Sequence, residues 1–414
     1  MTARERLRKA ANILMCLVAV ASIGWSGYDV WTTLAARRAI DSACADLVPV
    51  GKVLKLPDSG GRIEAHPDGR IEEYQGGGCR VSSTEAADSY GLNRGEGARV
   101  FFEAYVGLEP NAGKVEPEDN DLVDSTGNPD LVTPLGGGIP GTVSDNGTTV
   151  KLACGGGTRH EGSPVRNVVA TTASTNDGHN PFATGRRMPQ QTRDLLIASA
   201  VETANRLAER LGCPDRLPEP PTGVDPAPVR FQDADRARGT CRWYGNSGLQ
   251  DSSVWLPTKI AETPADPDVW TERCGLTMTL DQGRKALSED GDKPADPVLG
   301  DEPPGGTGDW WASAQSWFGD TATRVHLDGR DFTSSHARPG TAGHAGRGTQ
   351  WWASSTCHGK PAVHTLSVGN SVYGNHAAPH FGPVFRAYVT DVTRRHGCTD
   401  VTFPRKSEFR AREG

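Results

Sequence analysis

The chain has 414 residues, 36% of them hydrophobic, with 50 Gly, 29 Pro and a formal net charge of -7. That length allows about two ordinary domains, while the abundance of Gly and Pro implies long loops and small cores that need covalent staples. The acidic balance, with no concentrated Lys/Arg field, argues against phosphate-backbone binding, so no nucleic-acid partner is expected.

Arg4, Arg6, Arg8 and Lys9 against Glu5 put +3 at the start and leave -10 for the rest. Ala10 to Tyr28 then runs without a charge, which as a helix rises about 28 Å and matches the hydrocarbon core of a bilayer. Trp25, Tyr28 and Trp31 mark one interface and the basic residues the other, so the positive-inside rule places the N-terminus in the cytoplasm. The expectation is a cytoplasmic tail over 1–9, a transmembrane signal-anchor helix over 10–36, and a single-pass cell-membrane protein whose bulk is extracytoplasmic. A cleaved signal peptide is the competing reading.

Beyond the anchor, one phrase occurs three times: Cys44-Ala-Asp46 with Pro49, Cys213-Pro-Asp215 with Pro218, and Cys398-Thr-Asp400 with Pro404. It marks a tandem duplication. Repeat one covers 44–213, a Pro-rich linker 214–236, repeat two 237–400, and a C-terminal tail 401–414. Gly147 to Cys154 parallels Gly348 to Cys357, and Gly78-Cys79-Arg80 parallels Thr240-Cys241-Arg242. Strands are predicted over 70–75, 99–106, 148–154 and 167–173 in repeat one. In repeat two they are predicted over 240–244, 275–281, 323–328, 350–356 and 362–369. The Asn146-Gly147 turn precedes one of them. Each repeat ends in an apolar-periodic helix stopped by Gly212 or Gly397. Strands followed by a helix imply two α+β domains with antiparallel sheets. The acidic stretches 109–140 and 288–308 read as mobile loops.

Of the 9 cysteines, Cys16 falls in the apolar segment, and an even remainder in an extracytoplasmic chain reads as disulfides. Cys213 both closes repeat one and opens repeat two, yet can form only one bond. Cys274, with no counterpart in repeat one, resolves this by taking Cys241. The expected pairs are Cys44 with Cys79, Cys154 with Cys213, Cys241 with Cys274, and Cys357 with Cys398, each contributing about 2–4 kcal/mol.

Chemical signals are weaker. There is no phosphate loop, His-Glu-x-x-His, Gly-x-Ser-x-Gly or dinucleotide fingerprint. His376 and His380 have metal-ligand spacing on a helix, but Pro379 between them argues for a loop. Asp119, Asp121, Asp124 and Asp130 lack the alternation and closing Glu of a calcium loop. No metal or cofactor is expected. Every tryptophan after Trp31 lies in repeat two, where histidines also concentrate. Trp310, Trp311, Trp351, Trp352 and His358 are therefore the candidate binding surface, with core packing as the competing reading. Because Trp351 and Trp352 adjoin on a strand, they must face opposite ways.

The excess of Arg over Lys, with abundant Ala, Gly and Pro, resembles surface proteins of high-GC Gram-positive bacteria. The functional expectation is a binding or assembly component of the cell envelope, contacting an envelope protein or glycan. An envelope hydrolase with its site in repeat two, and a purely structural spacer, are the alternatives.

Overall fold

Alternation along its central strands builds the first sheet. Phe102, Ala104, Val106 and Leu108 are buried along β3 (Arg99–Glu109), Thr148, Val150 and Leu152 along β6 (Gly147–Ala153), and Val168, Ala170 and Thr172 along β9 (Asn167–Ala173). One face therefore seeks cover, and the helix α3 (Gln190–Arg210) supplies it with Leu196, Ile197, Ala200, Val201, Ala204, Leu207 and Ala208. Gly212, at φ 74°, adopts the left-handed conformation expected after the helix end. The remaining strands are β1 (Ile63–Asp68), β2 (Gln75–Ser83), β4 (Thr133–Pro134) and β5 (Gly141–Val143), in the antiparallel order β1-β2-β3-β9-β6-β5-β4. A small ribbon, β7 (Arg159–His160) with β8 (Ser163–Pro164), stands apart.

This computed structural model describes residues 3–68, 75–86, 98–109, 131–174, 188–228, 230–289, 307–328, 334–345, 349–369 and 371–410. The strand expected over 70–74, most of the two acidic stretches, and Asp119, Asp121, Asp124 and Asp130 lie outside them.

The second sheet contains β10 (Gln232–Asp233), β11 (Lys259–Glu262), β12 (Thr271–Thr279), β13 (Thr307–Phe318), β16 (Gly343–Ala345), β17 (Gln350–Cys357) and β18 (Lys360–Val368). Its order is β10-β11-β12-β13-β18-β17-β16, with β19 (Cys398–Thr402) also on β17. The hairpin β14 (His326–Asp328) with β15 (Ser334–His336) is separate. The path β11-β12-β13-β18-β17-β16 reproduces β1-β2-β3-β9-β6-β5, and α6 (Ser371–Arg395) takes the place of α3. The two repeats thus share one topology.

All four disulfides join the expected partners, at sequence separations of 35, 59, 33 and 41. Cys79 on β2 corresponds to Cys274 on β12, and Cys241 corresponds to Cys44, because each pair ties the chain entering a repeat to the second strand of that path. Cys213 closes repeat one and opens nothing. The resemblance of Gly78-Cys79-Arg80 to Thr240-Cys241-Arg242 is not structural: residues 242–247 form the helix α4 (Arg242–Ser247), not a strand. Trp243 and Tyr244 decide this by burial, Trp243 packing on Tyr388 of α6 at 5.4 Å and the Tyr244 hydroxyl donating to Pro257 O at 2.7 Å.

Other expectations also change. Pro379 and Pro383 lie inside α6, so His376 and His380 are helical. The missing hydrogen bonds, costing about 3 kcal/mol each, are outweighed by a face that buries Tyr373, Ala377, Phe381, Phe385, Tyr388 and Val392. Residues 401–410 are not a free tail, since Phe409 stacks on Trp351 at 4.9 Å. In the linker, Leu217 exchanges two hydrogen bonds with Asn205 on α3, at 2.8 and 3.1 Å, and residues 232–233 already belong to the second sheet.

The long helix α1 (Ala3–Ala43) ends in the first core through Ile40, and the short α2 (Val50–Val53) and the helix α5 (Leu280–Glu289) complete the set. No helix among the described residues is long and apolar enough to cross a membrane, which leaves the transmembrane assignment of 10–36 unsupported. Ser22, Gly24, Ser26, Gly27 and Asp29 dilute the apolar run.

Candidate functional site

Equivalent ends of the two sheets face one another. The last residues of β3 and β6 and the first of β9 meet the last of β13 and β17 and the first of β18 around a cleft of about 860 Å3. Its walls include both cystine-bearing turns, Cys154-Gly155-Gly156-Gly157 and Cys357-His358-Gly359-Lys360. A second cavity of about 270 Å3 shares Val269 and Trp270 with it.

Glu109, expected at the start of a mobile loop, is instead the buried last residue of β3 at the floor of this cleft. Lys151 donates to its Oε1 at 2.6 Å, Asn167 Nδ2 to its Oε2 at 2.8 Å, and Arg324 of repeat two also pairs with it. The Lys151 ammonium further donates to Thr321 Oγ1 at 2.5 Å and lies 4.5 Å from the Trp270 ring centre. Burial holds Lys151 below its usual pKa, with Glu109 opposing the shift. Arg166 pairs with Asp320 at 2.6 Å. The turn Gly319–Arg324 of repeat two supplies Asp320, Thr321 and Arg324, so these contacts latch one repeat to the other.

Behind the cleft wall, between sheet two and the end of α6, lies a polar network. Glu272 accepts from both terminal nitrogens of Arg395 at 3.0 and 2.5 Å and sits 3.2 Å from His396 Nε2. Burial alone would raise its pKa, but the bonds from His396 and Arg395 hold it below the ordinary carboxylate value. His396 stacks on Phe318 at 4.4 Å and lines the cleft. Deeper still, His364 is fully buried, its ring nitrogens 2.8 Å from Ser316 Oγ and 2.9 Å from Ser355 Oγ, with Tyr388 extending the chain at 2.7 Å.

Comparison with known proteins gives no assignment. No family model, curated protein or solved structure matches this chain.

Of the candidate binding surface, only His358 reaches the cleft and is exposed. Trp310, Trp311 and Trp351 are corrected to core positions, 1%, 6% and 0% exposed. Trp310 stacks on Tyr373 and Trp255 under α6, while Trp311 packs on the other face against Leu131 and Ala227. Trp352 is half-buried against a small second core. Glu109, Lys151, Trp270, Asp320, Arg324 and His396 were not singled out in sequence. The legible hint was a charge inside an apolar strand, Val150-Lys151-Leu152, which needs a buried partner.

Burial lowers the pKa of His364 to about 3. The unfolded chain therefore takes up this proton first as pH falls. Stability from the neutral ring is complete above about pH 6.5 and is lost from there down toward pH 3, at no more than about 1.4 kcal/mol per pH unit. Urea unfolding at about pH 7 and about pH 4.5 should show a larger acid loss in the wild type than in His364→Gln. Equal losses would remove His364 as the cause.

Proposed function

We propose that this chain is an extracytoplasmic binding component of the cell envelope, that its ligand site is the cleft between the repeats, and that α1 attaches it to the membrane. The observation that carries the reading is the cleft itself. Its volume falls in the range of ligand sites, and joints between domains are where such sites concentrate. Four disulfides agree with an oxidising compartment. Along α1, Ile13, Leu14, Met15, Leu17, Val18, Val20, Tyr28, Val30 and Trp31 are 58% to 68% exposed, an uncovered apolar surface that lipid would satisfy.

The hydrolase alternative has one observation in its favour, the His396–Glu272 pair at the cleft wall. It lacks a nucleophile: no hydroxyl or thiol among the described residues hydrogen-bonds His396, and the serines that do meet a histidine are sealed beneath α6 around His364. Hydrogen exchange on the full chain, bound to lipid vesicles and mixed with soluble envelope extract, tests the proposal. Protection is expected at 151–158, 268–271 and 358–361, and Ala153→Trp, which places a ring in the cleft, should abolish it. Protection elsewhere, or none, overturns the cleft as the site, and failure of the chain to float with vesicles overturns the anchor.

A further inference from the structure

The geometry points to a neutral, hydroxyl-rich oligosaccharide as the ligand of this cleft, an inference that rests on the cleft being the binding site. The charges on its walls nearly cancel: Lys151, Arg166 and Lys360 stand against Glu109, Asp215, Asp268 and Asp320. Those in the floor are already partnered. Glu109 is occupied by Lys151, Arg324 and Asn167, and Asp320 by Arg166. Lys360, Asp268 and Asp215 remain exposed at the lip and are of mixed sign, Asp215 Oδ2 also accepting from Gly155 N at 3.1 Å. An ionic ligand would therefore find no uncompensated counter-charge in the floor and would have to break an existing pair, leaving a buried charge alone.

A hydroxyl group faces no such conflict. It donates and accepts at once, so it can join a network of paired carboxylates, guanidinium and amide without orphaning a member. The walls add what sugar rings need beyond hydrogen bonds: the half-buried aromatic faces of Trp270 and Phe318, apolar plates with a polar edge in the case of Trp. Gly156 and Gly157, at φ 78° and 74°, present bare backbone, and a methyl group added at Gly157 would meet nothing within 4 Å. A polymer of repeating units would also meet a related cystine-bearing turn on either wall.

Calorimetric titration of the full chain with a panel of neutral oligosaccharides (chitotetraose, maltotetraose, cellotetraose) and charged probes (oligogalacturonate, inorganic phosphate) tests this. At least one neutral member should bind, losing about tenfold or more in affinity in Trp270→Ala. Trp270→Phe, which keeps an aromatic plate and guards against a folding defect, should retain part of the binding. Added salt should leave it unchanged. Binding of the charged probes alone overturns the oligosaccharide while sparing the cleft, as does a panel that is silent when envelope extract still protects 151–158. Loss of that protection is failure of the earlier reading itself.

Discussion

Trp351→Ala should lower the unfolding free energy by about 3–5 kcal/mol, the range for truncating a fully buried large ring, whereas Trp352→Ala should cost well under half as much. Trp351 is 0% exposed. Its indole Nε1 donates to Glu408 O at 2.9 Å, and its ring carries Phe409. Truncation therefore opens a cavity under α6, orphans a carbonyl and releases the clip on residues 403–410. Trp352 points to the other face of β17, half-buried, where it covers Gly343. Urea unfolding of both variants settles the matter. Equal losses would contradict the opposite facing of the two rings, and a lost ligand with unchanged stability in Trp351→Ala would restore it to a binding surface.

Glu109→Ala should uncouple the two repeats. The substitution removes the carboxylate bonded to the buried Lys151 ammonium, which keeps Thr321, the Trp270 ring and the field of Asp320; breaking a buried pair ordinarily costs about 3–5 kcal/mol. The loss falls at the joint rather than in either core, because Glu109 and Arg324 belong to different repeats. Every tryptophan after Trp31 is in repeat two, so indole fluorescence follows chiefly that repeat while far-ultraviolet circular dichroism follows both. The two probes should coincide for the wild type and separate in Glu109→Ala, with repeat one melting earlier. Coincident curves in the variant would mean that something other than this latch joins the repeats. The same variant should widen the cleft and weaken ligand binding, since Lys151 and Trp270 lose their fixed positions.

Much of the architecture was written locally. The strands at 99–109, 147–153, 167–173 and 350–357 are legible because alternation with period two needs only neighbours. The helix ends at Gly212 and Gly397 are legible because a left-handed residue there favours glycine. The four cysteine pairs are readable from their number and order, although the sequence context of Cys79 matches Cys241 while its place in the fold matches Cys274.

Other features belong to the tertiary structure alone. Whether residues 242–247 and 371–383 are helical depends on apolar faces that exist only once α4, α6 and the second sheet pack together, and there packing overrides the proline signal at 379 and 383. Which tryptophans are core was likewise undecidable without knowing that sheet two is covered on both faces. The cleft is the clearest case. Glu109 and Arg324 are 215 residues apart, and no local pattern joins them. Their charges meet because two sheets of like strand order lie end to end, where the Glu109 carboxylate, removed from water, is met by Lys151 of its own sheet and Arg324 of the other half.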